Sequence, residues 1–226
     1  MELRTVMQTT PSVRDFTGEP VPDEVVHSIL DAARFAPNGG NRQAWQVIVL
    51  KDRELRARIR DLYVIAWREY MAHVSVGLVA FAPLDSGRFT GPAIDLEQAR
   101  QTAAPMHFSD HLDEMPVLLL VIAELAELAV MDNGLDRQSI VGGASVYPFV
   151  HNVLLAARDA ELGGVMTTAL CRQEPAVKEL LGIPDGFALA ALVALGHPTK
   201  TLMKLKRRPV EDFTRLDRFD GKPFVA

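Results

Sequence analysis

From Val21 to Ala33 the apolar residues Val25, Ile29, Leu30 and Ala33 recur three or four positions apart, one face of an amphipathic helix. Pro22 suits the first helical position, and Asp23 and Glu24 put negative charge at the helix's positive end. Pro37 closes the element. Trp45–Leu50 is a run of β-formers and predicts a strand. The helical spacing returns over Asp52–Tyr70, with Leu55, Ile59, Leu62 and Ala66 as its stripe. Met115–Ala123 and Phe187–Leu195 are continuous apolar runs of strand length, the pattern of strands covered on both faces. Val165–Leu170 predicts a further strand, and Ala176–Leu181 a short helix between them. Gln138–Leu162 is a long helical pattern with Pro148 inside it, which predicts a kink. Residues 82–115 have little periodicity and carry Pro83, Gly87, Gly91, Pro92 and Pro105, so they predict loop with one short helix about Leu96–Ala103.

Helices and strands alternate, which predicts an α/β or α+β fold around a central sheet. The 226 residues suit one large domain or two small ones. A net charge of −5, from 24 basic and 29 acidic residues, argues against a general nucleic-acid binder, which needs a basic face. Cys171 is the single cysteine, so the chain has no intrachain disulfide and no cysteine-rich metal site. The apolar runs are too short to span a bilayer and no signal pattern opens the chain, so a cytoplasmic protein is expected. The tail from His197 to Ala226 is charged and weakly periodic, and must pack on something to stay ordered.

Candidate chemistry concentrates in three segments. Ala36-Pro37-Asn38-Gly39-Gly40-Asn41-Arg42-Gln43-Ala44-Trp45 is a loop in which two glycines let the backbone approach a ligand, while Asn41 and Gln43 offer amides that donate and accept. The same residues also suit a plain helix-to-strand connection. Thr9-Thr10-Pro11-Ser12-Val13-Arg14-Asp15-Phe16 lies near the N-terminus, and Lys204-Leu205-Lys206-Arg207-Arg208-Pro209 near the C-terminus. Arg14 could equally pair with Asp15 or Glu19, and Lys204–Arg208 could be a solvated basic run.

The order Ser-x-Arg-x-Phe, Ala-Pro-x-Gly-x-Asn-x-Gln-x-Trp and a late Arg-Arg-Pro resembles the nitroreductase family of FMN enzymes. Asn152–Arg158, Leu162-Gly163-Gly164 and Leu181–Pro184 extend the resemblance over most of the chain, least over 64–115. It implies a single domain over residues 1–226, an α+β three-layer fold with a central mixed sheet, and a variable cover segment at about 64–115. It also implies a homodimer in which the C-terminal tail wraps the partner subunit.

For the flavin, the resemblance implies that Ser12, Lys206, Arg207 and Arg208 bind the phosphate, that Val13 lies among the cofactor contacts, and that Arg14 faces either the phosphate or the N1 and C2-carbonyl edge of the ring. The backbone of Val165, Met166 and Thr167 would lie near flavin N5. Pro37, Asn38, Gly39, Asn41 and Gln43 would touch the ribityl chain, pyrimidine end or phosphate, with Ser145 against the ring. A group carrying about two negative charges wants guanidiniums, hydroxyls or backbone amides, and positive charge beside N1 favours flavin reduction. The chain departs from the family in having Thr10 and Pro11 where an arginine is common, and Asn38 where serine or threonine is usual.

The implied reaction passes hydride from NADPH or NADH through flavin N5 to an electron-poor small molecule, a nitroaromatic or quinone, by ping-pong kinetics. No covalent protein nucleophile is required. Tyr63, Trp67, Tyr70, Phe81, Phe89 and Phe108 are candidates to stack on the acceptor or to be core. The alternatives are a specialised enzyme of the same fold, of reductive-dehalogenase or flavin-destructase type, a non-catalytic FMN storage or sensing protein, and a scaffold without flavin. Metal chemistry has little support, since only His107 and His111 are spaced as a pair and His151 lies on an apolar face.

Overall fold

The computed structural model describes residues 1–83, 87–102, 107–201 and 204–225. A short helix α1 (Leu3–Gln8) precedes α2 (Asp23–Ala33), which leads through the glycine loop into β1 (Trp45–Val49). The long α3 (Arg53–Ser75) follows, opened by Asp52, whose carboxylate accepts from the Leu55 amide at 2.9 Å. Then come α4 (Leu96–Gln101), α5 (His107–Asp110) and β2 (Val117–Glu124). The chain continues through α6 (Tyr147–Asp159), β3 (Gly163–Thr167), α7 (Glu174–Leu181) and β4 (Phe187–Gly196).

The four strands form one sheet in the order β1-β2-β4-β3. Every pairing between them is antiparallel. The expected mixed character is confined to one isolated parallel bridge between Ser12 and Gly164. Alternation along β2 explains the three layers. Val117, Leu119, Val121 and Ala123 face a core shared with α2 and α6, while Leu118, Leu120 and Ile122 face one shared with α3, α5 and α7. Between Val121 and Ile122 the register with β4 shifts, and Ala190 is the extra residue. The bulge exposes the Ala190 carbonyl to the Tyr147 hydroxyl, 3.2 Å away.

Three expectations need correction. Pro148 does not kink a long helix, because α6 begins at Tyr147 and the proline sits in its first turn, where no amide hydrogen is needed. Residues 141–145 before it form a separate 3-10 turn. The strand expected over Val165–Leu170 begins at Gly163 and ends at Thr167, and 169–173 is another 3-10 turn. Helix α3 runs past Tyr70 to Ser75, since Glu69 and His73 are buried on its inner face. Of the helix expected about 96–103, Ala103 lies outside the described residues. Among the described residues no helix is long and apolar enough to cross a membrane.

Candidate active site

β3 is an edge strand, and the N-terminal segment docks on its exposed side. The Val13 amide donates to the Gly164 carbonyl at 2.9 Å, beside the Ser12–Gly164 bridge. A Cβ on Gly163 would lie 2.8 Å from a Val13 methyl, and one on Gly164 would lie 2.5 Å from Leu195. The two glycines permit this close approach of segment, strand and sheet. The segment is then pinned to the chain leaving β4, through Thr17 to the His197 carbonyl at 2.9 Å and the Thr199 hydroxyl to the Asp15 carboxylate at 2.7 Å.

Arg14 is thereby held exposed beside β3. Asp15 is engaged by Thr199, and among the described residues Arg14 has no carboxylate within ion-pair distance. Its charge acts on the phenol of Tyr63, which reaches up from α3 to the Thr167 hydroxyl at 3.1 Å. Burial pushes the Tyr63 phenol above its ordinary pKa, while the Thr167 hydroxyl and the Arg14 charge pull the other way. Met166 is exposed and Thr167 half-buried at the open end of the edge, whereas Val165 buries its side chain in the core and has only its backbone to offer.

A second group gathers around the glycine loop. The Gly39 amide donates to the Ser145 hydroxyl at 3.0 Å, bringing together two residues 106 apart in sequence. The Asn38 side-chain Oδ1 accepts from the Gln43 backbone amide at 2.9 Å, and its Nδ2 donates to the Ala36 carbonyl at 3.2 Å. Asn41 and Gln43 have φ of 53° and 52°, the left-handed region that costs non-glycine residues energy. Gly40, Asn41 and Gln43 are exposed, as is Pro37. Among the described residues no hydrogen bond or ion pair joins this group to Ser12, Arg14 or Thr167 in one protomer.

The basic run stands apart. Lys206, Arg207 and Arg208 are exposed, and Arg207 donates to the Lys206 carbonyl rather than to either group. From Lys204 onward, among the described residues, the tail's hydrogen bonds close within it, such as the Leu216 amide to the Lys222 carbonyl at 2.9 Å.

Two clusters had no motif to announce them. Glu69 has no exposed surface, and its two oxygens accept from Arg100 at 2.7 Å and Arg172 at 3.3 Å. Its spacing from Tyr63, Ala66 and His73 is that of one helical face, the signal that marks it as interior. Asp132 is held ionised well below the usual carboxylate range by the Ile140 amide, then the Ser139 hydroxyl and Arg137, and so fixes the loop before Ser145. Cys171 is a poor nucleophile, its thiol pushed up to about 11 chiefly by burial. Among the described residues no group of three or more His, Cys, Asp or Glu could hold a metal ion.

An exposed arginine beside a glycine-bearing sheet edge, and a glycine loop held to Ser145, are the two candidate groups that the fold presents. The chain belongs to the Nitroreductase family, whose sequence model matches residues 8–197. Iodotyrosine deiodinase 1 of Rattus norvegicus is 28% identical over 215 residues, 93% of this chain and 67% of that protein. The NADH dehydrogenase of Thermus thermophilus is 25% identical over 217 residues, 93% of this chain and 94% of that protein. The crystal structure of oxidized iodotyrosine deiodinase bound to FMN and 3-iodo-L-tyrosine shares the fold, with a TM-score of 0.66 over 96% of this chain and 100% of that one at 23% identity.

Proposed function

We propose that the protein is an FMN-dependent oxidoreductase that uses NADH or NADPH to reduce an electron-poor small molecule. The observation that carries this reading is the Arg14–Tyr63–Thr167 arrangement on the open edge of β3. A guanidinium without a carboxylate partner, beside the stretch of β3 beyond the Ser12–Gly164 bridge, suits an anionic, planar, hydrogen-bonding ring. The residues present therefore fit FMN. Ser12, Val13, Arg14 and the backbone of Val165, Met166 and Thr167 would hold it from one side. Pro37, Asn38, Gly39, Asn41, Gln43 and Ser145 would hold it from the other, with Lys206, Arg207 and Arg208 lending charge to the phosphate.

Bound FMN would supply two-electron redox chemistry, taking hydride from the nicotinamide and returning electrons to the acceptor. The protein's part is to bind, orient and exclude water. Arg14 would favour the anionic reduced state electrostatically, and Tyr63 would hold Thr167 in place. Donor and acceptor would occupy one place in turn, so ping-pong kinetics are the expected signature.

A homodimer belongs to the same proposal. The two residue groups are not joined within one protomer, and the tail leaves Phe213, Phe219 and Phe224 more than half exposed, surface that a second copy would cover. The single domain with a cover at about 64–115 is also part of it.

A second acceptor class is favoured by the 28% identity to iodotyrosine deiodinase 1, namely reductive removal of halide from a halogenated phenol. The test is an absorption spectrum of the purified protein, then anaerobic NADH or NADPH, then a nitroaromatic, a quinone or 3-iodotyrosine. Flavin bands that bleach and recover with an acceptor are expected, and the acceptor that restores them chooses the class. A protein that binds FMN without bleaching would be a storage or sensing protein, and one that takes up no FMN would sink the reading.

A further inference from the structure

On the α3 side of the molecule an open cavity of about 480 Å³ is lined by Phe81, Arg88, Phe89, Arg137, Gln138 and Arg172. Its size is that of a small-ligand site. Its lining is selective. Three guanidiniums face it, and each has a carboxylate partner: Asp136 for Arg88, Asp132 for Arg137 and Glu69 for Arg172. None of those three carboxylates lines the cavity.

This arrangement orders the arginines without exhausting them. Arg172 meets Glu69 through Nε at 3.3 Å and lies over the Phe81 ring at 4.3 Å. Arg137 spends Nη1 on Asp132 at 2.7 Å and on the Gln138 carbonyl at 2.8 Å. A guanidinium has five N–H donors in a rigid fork, so each retains donors for a ligand. Glu69 is shared between Arg172 and Arg100, and Glu97 also meets Arg100, so the attraction for an anion lies in the unused N–H donors and not in surplus charge. The Phe81 and Phe89 rings, 6.2 Å apart at 60°, offer an apolar wall beside it.

The cavity hangs from the elements that carry the candidate active site. Arg172 lies in the 3-10 turn five residues after Thr167, and Glu69 is on the same helix as Tyr63. Arg137 and Gln138 belong to the loop that runs into Ser145, and the Gln138 amide is tied to the Gly87 carbonyl at 2.7 Å.

We propose that this cavity binds the carboxylate end of an aromatic acid, so that the acceptor of the reaction is a benzoate-type anion. The identification of the acceptor rests on the oxidoreductase reading above; the binding of the acid does not. A carboxylate would take paired N–H bonds from the arginines while its ring lies against the phenyl wall.

Two measurements test it. The first compares KM for 4-nitrobenzoate and methyl 4-nitrobenzoate, which differ in the anionic carboxylate. The ester should have a KM about tenfold higher, as expected for losing a charge-assisted pair. Arg88→Gln, at a surface pair whose loss spares the core, and Arg137→Gln should each bring that ratio to within about threefold. The second is calorimetric titration of the protein as purified with benzoate, which cannot be reduced. Benzoate should bind, and about tenfold more weakly to Arg88→Gln. Equal KM values for acid and ester, or no benzoate binding, would overturn the proposal and leave the oxidoreductase reading intact. If neither nitro compound reoxidises a reduced flavin, the oxidoreductase reading suffers instead, and the benzoate titration still decides the cavity.

Discussion

The phenol of Tyr63 on α3 stands 3.1 Å from the hydroxyl of Thr167 at the end of β3, two residues 104 apart in sequence. The bond joins the helix under the sheet to the open edge of the candidate site. Tyr63→Phe should cost about 1 kcal/mol, the usual net worth of such a bond. An unchanged urea midpoint would show that it contributes nothing. The raised pKa adds a pH signature. The unfolded phenol ionises near 10.0 and the folded one above it, so stability is level below pH 10.0 and falls beyond. Denaturation at intervals from neutral to strongly alkaline pH should show a shallower fall in Tyr63→Phe, though not a flat one, since Tyr147 is raised too.

Glu69 predicts a larger effect. Removing its charge leaves Arg100 and Arg172 without their shared partner around a buried position. Glu69→Gln should cost roughly 1–3 kcal/mol, less than a fully buried pair because both arginines are partly exposed. Arg100→Ala should cost less than Glu69→Gln, since Arg172 remains on the carboxylate. Equal midpoints for all three proteins would mean that the cluster is not formed in solution.

Gly163→Ala tests the docking of the N-terminal segment. The new Cβ would press on Val13 at 2.8 Å, and overpacking of this kind costs about 1–3 kcal/mol. Val13→Ala in the same chain should recover part of the loss, a coupling that a double-mutant cycle measures. Additive effects would place the strain elsewhere.

Arg14 and the basic run make separable predictions about flavin. Arg14→Ala should lower the flavin midpoint potential or lose flavin, read by spectroelectrochemistry and occupancy. Arg207→Ala with Arg208→Ala should release FMN on dialysis. Full retention in the double variant would assign the phosphate to other residues.

Much of this was legible before the structure. β2 and β4 announce themselves as uninterrupted apolar runs because both of their faces are covered. Helix α2 has a clean stripe with its caps in place. Pro148 misled because the 3-10 turn at 141–145 and the helix after it continue one another's periodicity. The end of α3 was hidden because burial there is polar: Glu69 and His73 break the apolar stripe yet lie inside, Glu69 held by two arginines and His73 bonded through Nδ1 to the Glu69 carbonyl. Helix α1 is six residues with one buried side chain, too little for a pattern. The loop, legible from its glycines and amides, and Ser145, implied by the family resemblance, meet through a hydrogen bond. The partnership of Tyr63 with Thr167 had no local signal, because pairing over that distance is a property of the tertiary fold.

The docking of residues 12–17 against Gly164 and the stretch 197–199 also bears on biosynthesis. During translation the N-terminal segment emerges first, but its partners include residues that follow β4. Synthesis must therefore run 184 residues past Asp15 before Thr199 exists to hold it beside β3, which at typical ribosomal speeds takes on the order of 10–40 s. Under the proposed function, flavin capture at this edge would be a late event, open only once the residues after β4 have been made.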